Sequence, residues 1–181
     1  MKHLILSPHL DDAVLSLGAA LHHWSQAGDE VLVVTICAGS PALPSYSRFA
    51  RELHTRWGYS AEQAVARRRR EDRAALKRVG AQGRYWPDLD AIYRAGPGRR
   101  WLYPSVEAIF GPLHLLEQGP HDDLARRLSR LARRWQADVV YAPLTIGDHV
   151  DHVRVRVAAE AAGLPLAYYE YTPYAMRETR T

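Results

Sequence analysis

The chain has 181 residues, 47% of them hydrophobic, enough for one ordinary globular domain with a sizeable core and short for two. Its formal charge of +4 is carried almost entirely by arginine, Lys2 and Lys77 being the only lysines; this favours anionic partners without making the chain a nucleic-acid binder. The single cysteine, Cys37, excludes an intrachain disulfide, and no apolar run approaches the roughly 20 residues of a membrane span.

Met1-Lys2-His3 leads directly into a strand and not a signal peptide, so a soluble, cytoplasmic protein is expected. Residues 3–7 (HLILS) are a short apolar run bounded by Pro8 and read as a buried strand. Residues 13–26 place Val14, Leu17, Leu21 and Trp24 at helical spacing, with Gly28 as a stop. Residues 31–36 are β-branched and nearly all apolar, as in a parallel strand covered on both faces, with Cys37 at its buried end. A polar, aromatic stretch, 39–59, then interrupts the rhythm before a charged helix from Ser60 to Val79, ended by Gly80. Its run Arg67-Arg68-Arg69-Arg70 reads as a solvated face, which leaves room for one or two arginines to face a cleft.

A short strand near Tyr85 and Trp86 leads into a Gly/Pro-rich loop, 87–104, of a length that often carries function. The next helix, His121 to Gln136, has Asp122 and Asp123 in its first turn and Leu124, Leu128, Leu131 and Trp135 on one face. Residues 138–144 read as a strand, His149 to Ala162 as a helix, and 166–171 as the last strand before a polar tail. This alternation predicts a single domain, 1–181, with a Rossmann-like doubly wound α/β fold: a mostly parallel sheet with helices on both faces.

In such a sheet, ligands sit beyond the carboxyl ends of the strands where strand order reverses. Two clusters fall at such ends, Pro8-His9-Leu10-Asp11-Asp12 and Gly147-Asp148-His149-Val150-Asp151-His152, about 140 residues apart. The first lacks the glycines that let a backbone approach a pyrophosphate, so a dinucleotide site is disfavoured. One Asp is explained by helix capping, and Asp148 can cap the second helix in the same way; two adjacent Asp beside a His cannot both serve one cap. His149 and His152, three apart on a helix, can face one cleft. With His9 and Asp12 they supply a His₂-carboxylate set and a spare carboxylate and imidazole, an inventory that suits a catalytic zinc site.

The P-H-x-D-D motif followed downstream by H-x-D-H resembles the LmbE-like or PIG-L family of zinc-dependent N-deacetylases, which act on N-acetylglucosaminyl compounds and related amides. Weaker support comes from Arg68-x-x-Glu71, Ala75 to Gly80, Asp90-Ala91-Ile92-Tyr93-Arg94 and Tyr169-Glu170-x-x-Pro173-Tyr174-Ala175, which look like the branch whose first motif reads PHLDD. The resemblance implies that His9, Asp12 and His152 bind one Zn²⁺ per chain and that Asp11 is the general base for the zinc-bound water. It also implies that a protonated His149 stabilises the oxyanion or protonates the leaving amine, that Asp151 orients an imidazole, and that Arg68 contacts substrate. Asp90 and Arg94 are expected to line the sugar site or to organise their loop.

The chain departs from the commoner motif in having Leu10 in place of Pro and Ala13 in place of Glu, and Gly147 stands where some members carry a Tyr. It is also shorter than typical relatives, so the expected pocket is either more open or completed by another subunit of a homo-oligomer. The expected partner is therefore a small N-acetylated sugar conjugate, with no nucleic acid and no membrane span. Two alternatives stand beside it: a metal- or sugar-binding relative without deacetylase activity, and a basic nucleic-acid-binding domain, which would leave the His and Asp placement unexplained.

Overall fold

The protein is described from a computed structural model covering residues 1–41, 46–118 and 122–171. The expected helix start at His121, the polar tail and Pro173-Tyr174-Ala175 lie outside these residues. In chain order the elements are β1 (Lys2–Ser7), α1 (Asp12–Gln26), β2 (Glu30–Thr35), α2 (Arg48–Trp57), α3 (Ala61–Arg78) and β3 (Gln82–Tyr85). There follow α4 (Val106–Ile109), α5 (Asp122–Trp135), β4 (Val139–Pro143), α6 (Val150–Ala161) and β5 (Leu166–Tyr169).

The five strands form one sheet in the order β3-β2-β1-β4-β5, and every pairing is parallel. Side chains alternate across a strand, and β1 shows the result: Leu4 and Leu6 pack with Leu124, Leu128 and Leu131 of α5 and Val155 of α6. Ile5 points the other way, towards Leu21 of α1 and Leu76 of α3. The sheet is thus covered on both faces, which is why β1 and β2 read as continuous apolar runs. The chain leaves β1 towards β2 and β3 on one side and later returns to β4 on the other. The reversal therefore falls between β1 and β4, whose following turns carry the two His/Asp motifs.

Three local differences from the sequence reading bear on the site. The stretch 39–59 contains a helix, α2, whose amino end is capped by the Ser47 side chain accepting from the Ala50 N–H and whose carboxyl end closes at Gly58 in the left-handed region. Within the loop 87–104, Ala91–Tyr93 forms a 3-10 turn capped by the Asp90 side chain. Beyond that loop, α4 is a single turn capped by Ser105.

Candidate active site

The turn after β1 is held by the Ser7 hydroxyl, which donates to the His9 carbonyl (2.7 Å) and accepts from the Ala13 N–H (3.2 Å). This bridging leaves the two carboxylates to other tasks. Asp11 occupies the N-cap position of α1 but makes no side-chain cap, so capping does not account for it. Asp12 turns back into the protein, where its Oδ2 accepts the His9 backbone N–H at 2.8 Å. The same oxygen lies 3.4 Å from His9 Nδ1 and 3.3 Å from His152 Nε2. His9, Asp12 and His152 are all buried. Burial alone would raise the Asp12 pKa, but His152 and His9 overcome it and hold the carboxyl well below its usual range.

The turn after β4 is tight, with Thr145, Gly147 and Asp148 all at positive φ. A β-branched threonine in that region is strained, and Arg156 of α6 secures it by donating to the Leu144 carbonyl (2.9 Å) and the Thr145 hydroxyl (3.5 Å). Helix α6 is capped not by Asp148, as expected, but by His149, whose Nδ1 accepts the Asp151 N–H at 3.2 Å. Asp148 is exposed, and its left-handed backbone serves the turn. With Nδ1 accepting, the neutral His149 ring carries its proton on Nε2. Burial, then the charge of His9, lowers the His149 pKa to about 3. This direction favours the uncharged ring over the expected imidazolium.

Asp151, fully buried at the first turn of α6, is the organising group. Its Oδ2 accepts from His9 Nε2 (2.9 Å) and from the Ala91 N–H (3.0 Å), and its Oδ1 pairs with the Arg94 guanidinium. Burial would keep this carboxyl protonated, but Arg94 and His9 hold its pKa well below the usual range. The imidazole it orients is that of His9, so the His9 Nδ1 is aimed at Asp12. Asp90 Oδ2 stands 3.8 Å from His9 Nε2.

Asp11 keeps 41% of its side chain exposed and pairs with Arg68 of α3, Nη2 to Oδ2 at 3.3 Å. Burial lifts its pKa above the ordinary value against the pull of Arg68. The arginine run on α3 is divided among several partners. Arg67 pairs with Glu71 and lies over the Tyr59 ring, Arg68 turns to the site, Arg69 donates to the Ala38 carbonyl, and Arg70 is exposed.

A cleft of about 260 Å³ opens over these groups, lined by His9, Asp11, Asp12, Arg68, Asp90 and His149. Its apolar walls come from Phe49, Leu53 and Trp57 on α2 and from Val106, Ile109 and Phe110 at α4. A neighbouring hollow of about 470 Å³ shares Asp11, Trp57 and Arg68 with it. All nine site residues expected from the sequence thus meet in one network, and six of them line the cleft. Arg94 belongs to the network but lies beneath the cleft, bound to Asp151 and Glu117, and does not line it; its expected sugar contact gives way to organising the loop. The wall residues of α2 escaped the sequence reading although Phe49, Leu53 and Trp57 recur every fourth position between Ser47 and Gly58, a usable helix signal. Glu117 carries no such signal.

The donors fit a divalent cation. Ring nitrogens of His9, His149 and His152 lie within 4.8 Å of one another, as do ligand atoms of His9, Asp90 and Asp151. His149 Nδ1 is engaged by a backbone N–H, and Asp151 is engaged by three donors. Asp12 Oδ2 stands between two of these imidazoles, 3.4 Å from His9 Nδ1 and 3.3 Å from His152 Nε2, with an Asp151–His9 contact behind it.

The sequence pattern of the PIG-L family, described as GlcNAc-PI de-N-acetylase, matches residues 4–163, and the chain belongs to that family. It is 29% identical over 180 residues to 2'-N-acetylparomamine deacetylase of Streptomyces fradiae, covering 96% of this chain and 58% of that protein. Among solved structures, the zinc-inhibited form of teicoplanin deacetylase Orf2 superposes with a TM-score of 0.86 at 36% identity, over 97% of this chain and 69% of that one. The A40926 pseudoaglycone deacetylase Dbv21 superposes with a TM-score of 0.74 at 38% identity, over 96% and 64% respectively. The chain thus spans little more than half the length of the paromamine enzyme it matches.

Proposed function

We propose that this chain is a metal-dependent N-deacetylase that hydrolyses the N-acetyl group of an amino sugar conjugate to acetate and a free amine. The observation that carries the reading is the meeting of the two motif turns at the β1/β4 switch point, where Asp12 Oδ2 stands between His9 and His152 at the base of an open cleft. The relatives named as deacetylases of acetylated sugar compounds point to the same chemistry.

His9, Asp12 and His152 would hold the metal, for which we propose Zn²⁺, one per chain. When bound, the ion supplies Lewis acidity that activates water and polarises the amide carbonyl. Asp11 takes a proton as the water oxygen bonds to the carbonyl carbon, and its raised pKa suits a base that must also give the proton back. It passes that proton to the nitrogen as the C–N bond breaks, because an amine leaves poorly unless protonated. His149, fixed by its capping bond, acts as a neutral donor to the oxygen on which charge develops. Asp151 holds the His9 ring, and Arg68 and Asp90, which line the cleft, would bind sugar hydroxyls.

The test is elemental analysis together with amine release from a panel of N-acetylglucosaminyl conjugates. It compares the wild type, Asp11→Asn and His152→Ala, with activity read at one equivalent of metal because Orf2 has a zinc-inhibited form. Asp11→Asn should keep its metal and lose at least about 10²-fold in turnover, whereas His152→Ala should lose the metal. Full activity in Asp11→Asn would remove Asp11 from the mechanism. Metal binding in the wild type with no amine released from any conjugate would favour a sugar-binding relative.

A further inference from the structure

A chain of ionic contacts leads away from the site through residues that do not line the cleft. Arg94 pairs through Nη1 with Asp151 Oδ1, while its other edge meets Glu117: Nε to Oε1 at 2.7 Å and Nη2 to Oε2 at 3.0 Å. The Arg94, Glu117 and Asp151 side chains are 11%, 14% and 0% exposed, so these ion pairs are shielded from water and screened little by salt. Glu117 is fixed in turn by the Tyr103 hydroxyl, which donates to Oε2 at 2.7 Å and accepts the His114 N–H at 3.0 Å. The Arg94 guanidinium lies 5.1 Å from the centre of the Tyr103 ring. The guanidinium is anchored by Nη2 on Glu117 and by Nη1 on the Leu89 carbonyl (3.1 Å), so its planar Nη1 meets Asp151 in a fixed direction, which a flexible ammonium would not.

Resting on the metal-site reading above, we infer that Glu117 and Arg94 are positioning residues that set metal affinity by aiming His9 through Asp151. Asp151 touches His9 Nε2 with the oxygen that also accepts the Ala91 N–H, and its other oxygen belongs to Arg94. One contact of the carboxylate is thus backbone and the other is Arg94. Loosening Arg94 lets the carboxylate rotate about the Ala91 contact, and the His9 ring turns with it. Neither Arg94 nor Glu117 lines the cleft, so substrate contact is not altered directly.

The experiment measures Zn²⁺ affinity by competition with a chromophoric chelator at neutral pH, alongside thermal unfolding of the metal-free proteins. It compares the wild type, Arg94→Lys, Glu117→Gln and His152→Ala. Glu117→Gln and Arg94→Lys should each weaken zinc binding by about 10- to 100-fold, and each variant loaded with one equivalent of zinc at a protein concentration above its dissociation constant should show an unchanged KM. If either variant fails to fold, the other decides. Affinities within twofold of wild type, whatever happens to the melting temperature, would overturn the inference while leaving the metal site standing. No zinc binding by the wild type would overturn the metal-site reading itself, and with it this one.

Discussion

Asp72 offers a test of the electrostatics that is independent of catalysis. It sits on α3 one turn beyond Arg68, is 5% exposed, and accepts the Tyr85 hydroxyl at 2.8 Å. Burial lifts its pKa from 3.8 to about 6, outweighing the Tyr85 hydrogen bond. The folded protein therefore binds this proton more tightly than the unfolded chain, so its contribution favours folding below about pH 4 and is lost as pH rises through about 6. At about 1.4 kcal/mol per pKa unit, ionised Asp72 costs about 3 kcal/mol above pH 7, and about 2 kcal/mol of that cost develops between pH 4.5 and pH 8. Asp72→Asn removes the charge and retains an acceptor for Tyr85. Urea unfolding of both proteins at the two pH values, with chelator present throughout, yields the stability difference between them at each pH. Pairing losses that do not depend on pH cancel in that comparison. The variant should gain about 2 kcal/mol on the wild type from pH 4.5 to pH 8. A change under about 0.5 kcal/mol would show that Asp72 is adequately solvated or paired when ionised and would refute the reasoning.

Two substitutions probe the scaffold. An added Cβ at Gly39 would lie 2.2 Å from the Pro87 carbonyl oxygen and 2.8 Å from that of Asp88, backbone atoms of the loop leading to Asp90. Gly39→Ala should therefore cost about 1–3 kcal/mol and reduce turnover by displacing Asp90, which denaturant titration and the amine-release assay would detect. Leu128, fully buried between α5 and the sheet, should lose about 2–5 kcal/mol as Leu128→Ala. In a chain of this size that lowers the melting temperature by about 2–4 °C per kcal/mol, with little effect on metal binding.

The repeating apolar pattern carried the fold. Apolar runs at β1, β2 and β4 announced strands, that at β2 as one covered on both faces, and helical spacing in 13–26 and 121–136 marked their covers, because periodicity is a local property that tertiary packing only confirms. The same holds for the two motifs, whose residue types and positions at strand ends placed His9, Asp11, Asp12, His149, Asp151 and His152 at one switch point. Helix α2 was the local failure: its apolar residues are sparse and set among charges, although they supply a wall of the cleft.

Which nitrogen of each histidine faces what is another matter. That His149 caps α6 in place of Asp148, that Asp151 aims His9, and that Arg94 turns from the cleft to a pair with Glu117 depend on contacts between residues as far as 142 positions apart. Hydrogen bonds and ion pairs are decided by direction over distances of about 3 Å. A sequence specifies which groups are available for such contacts, and only the packed chain fixes their directions.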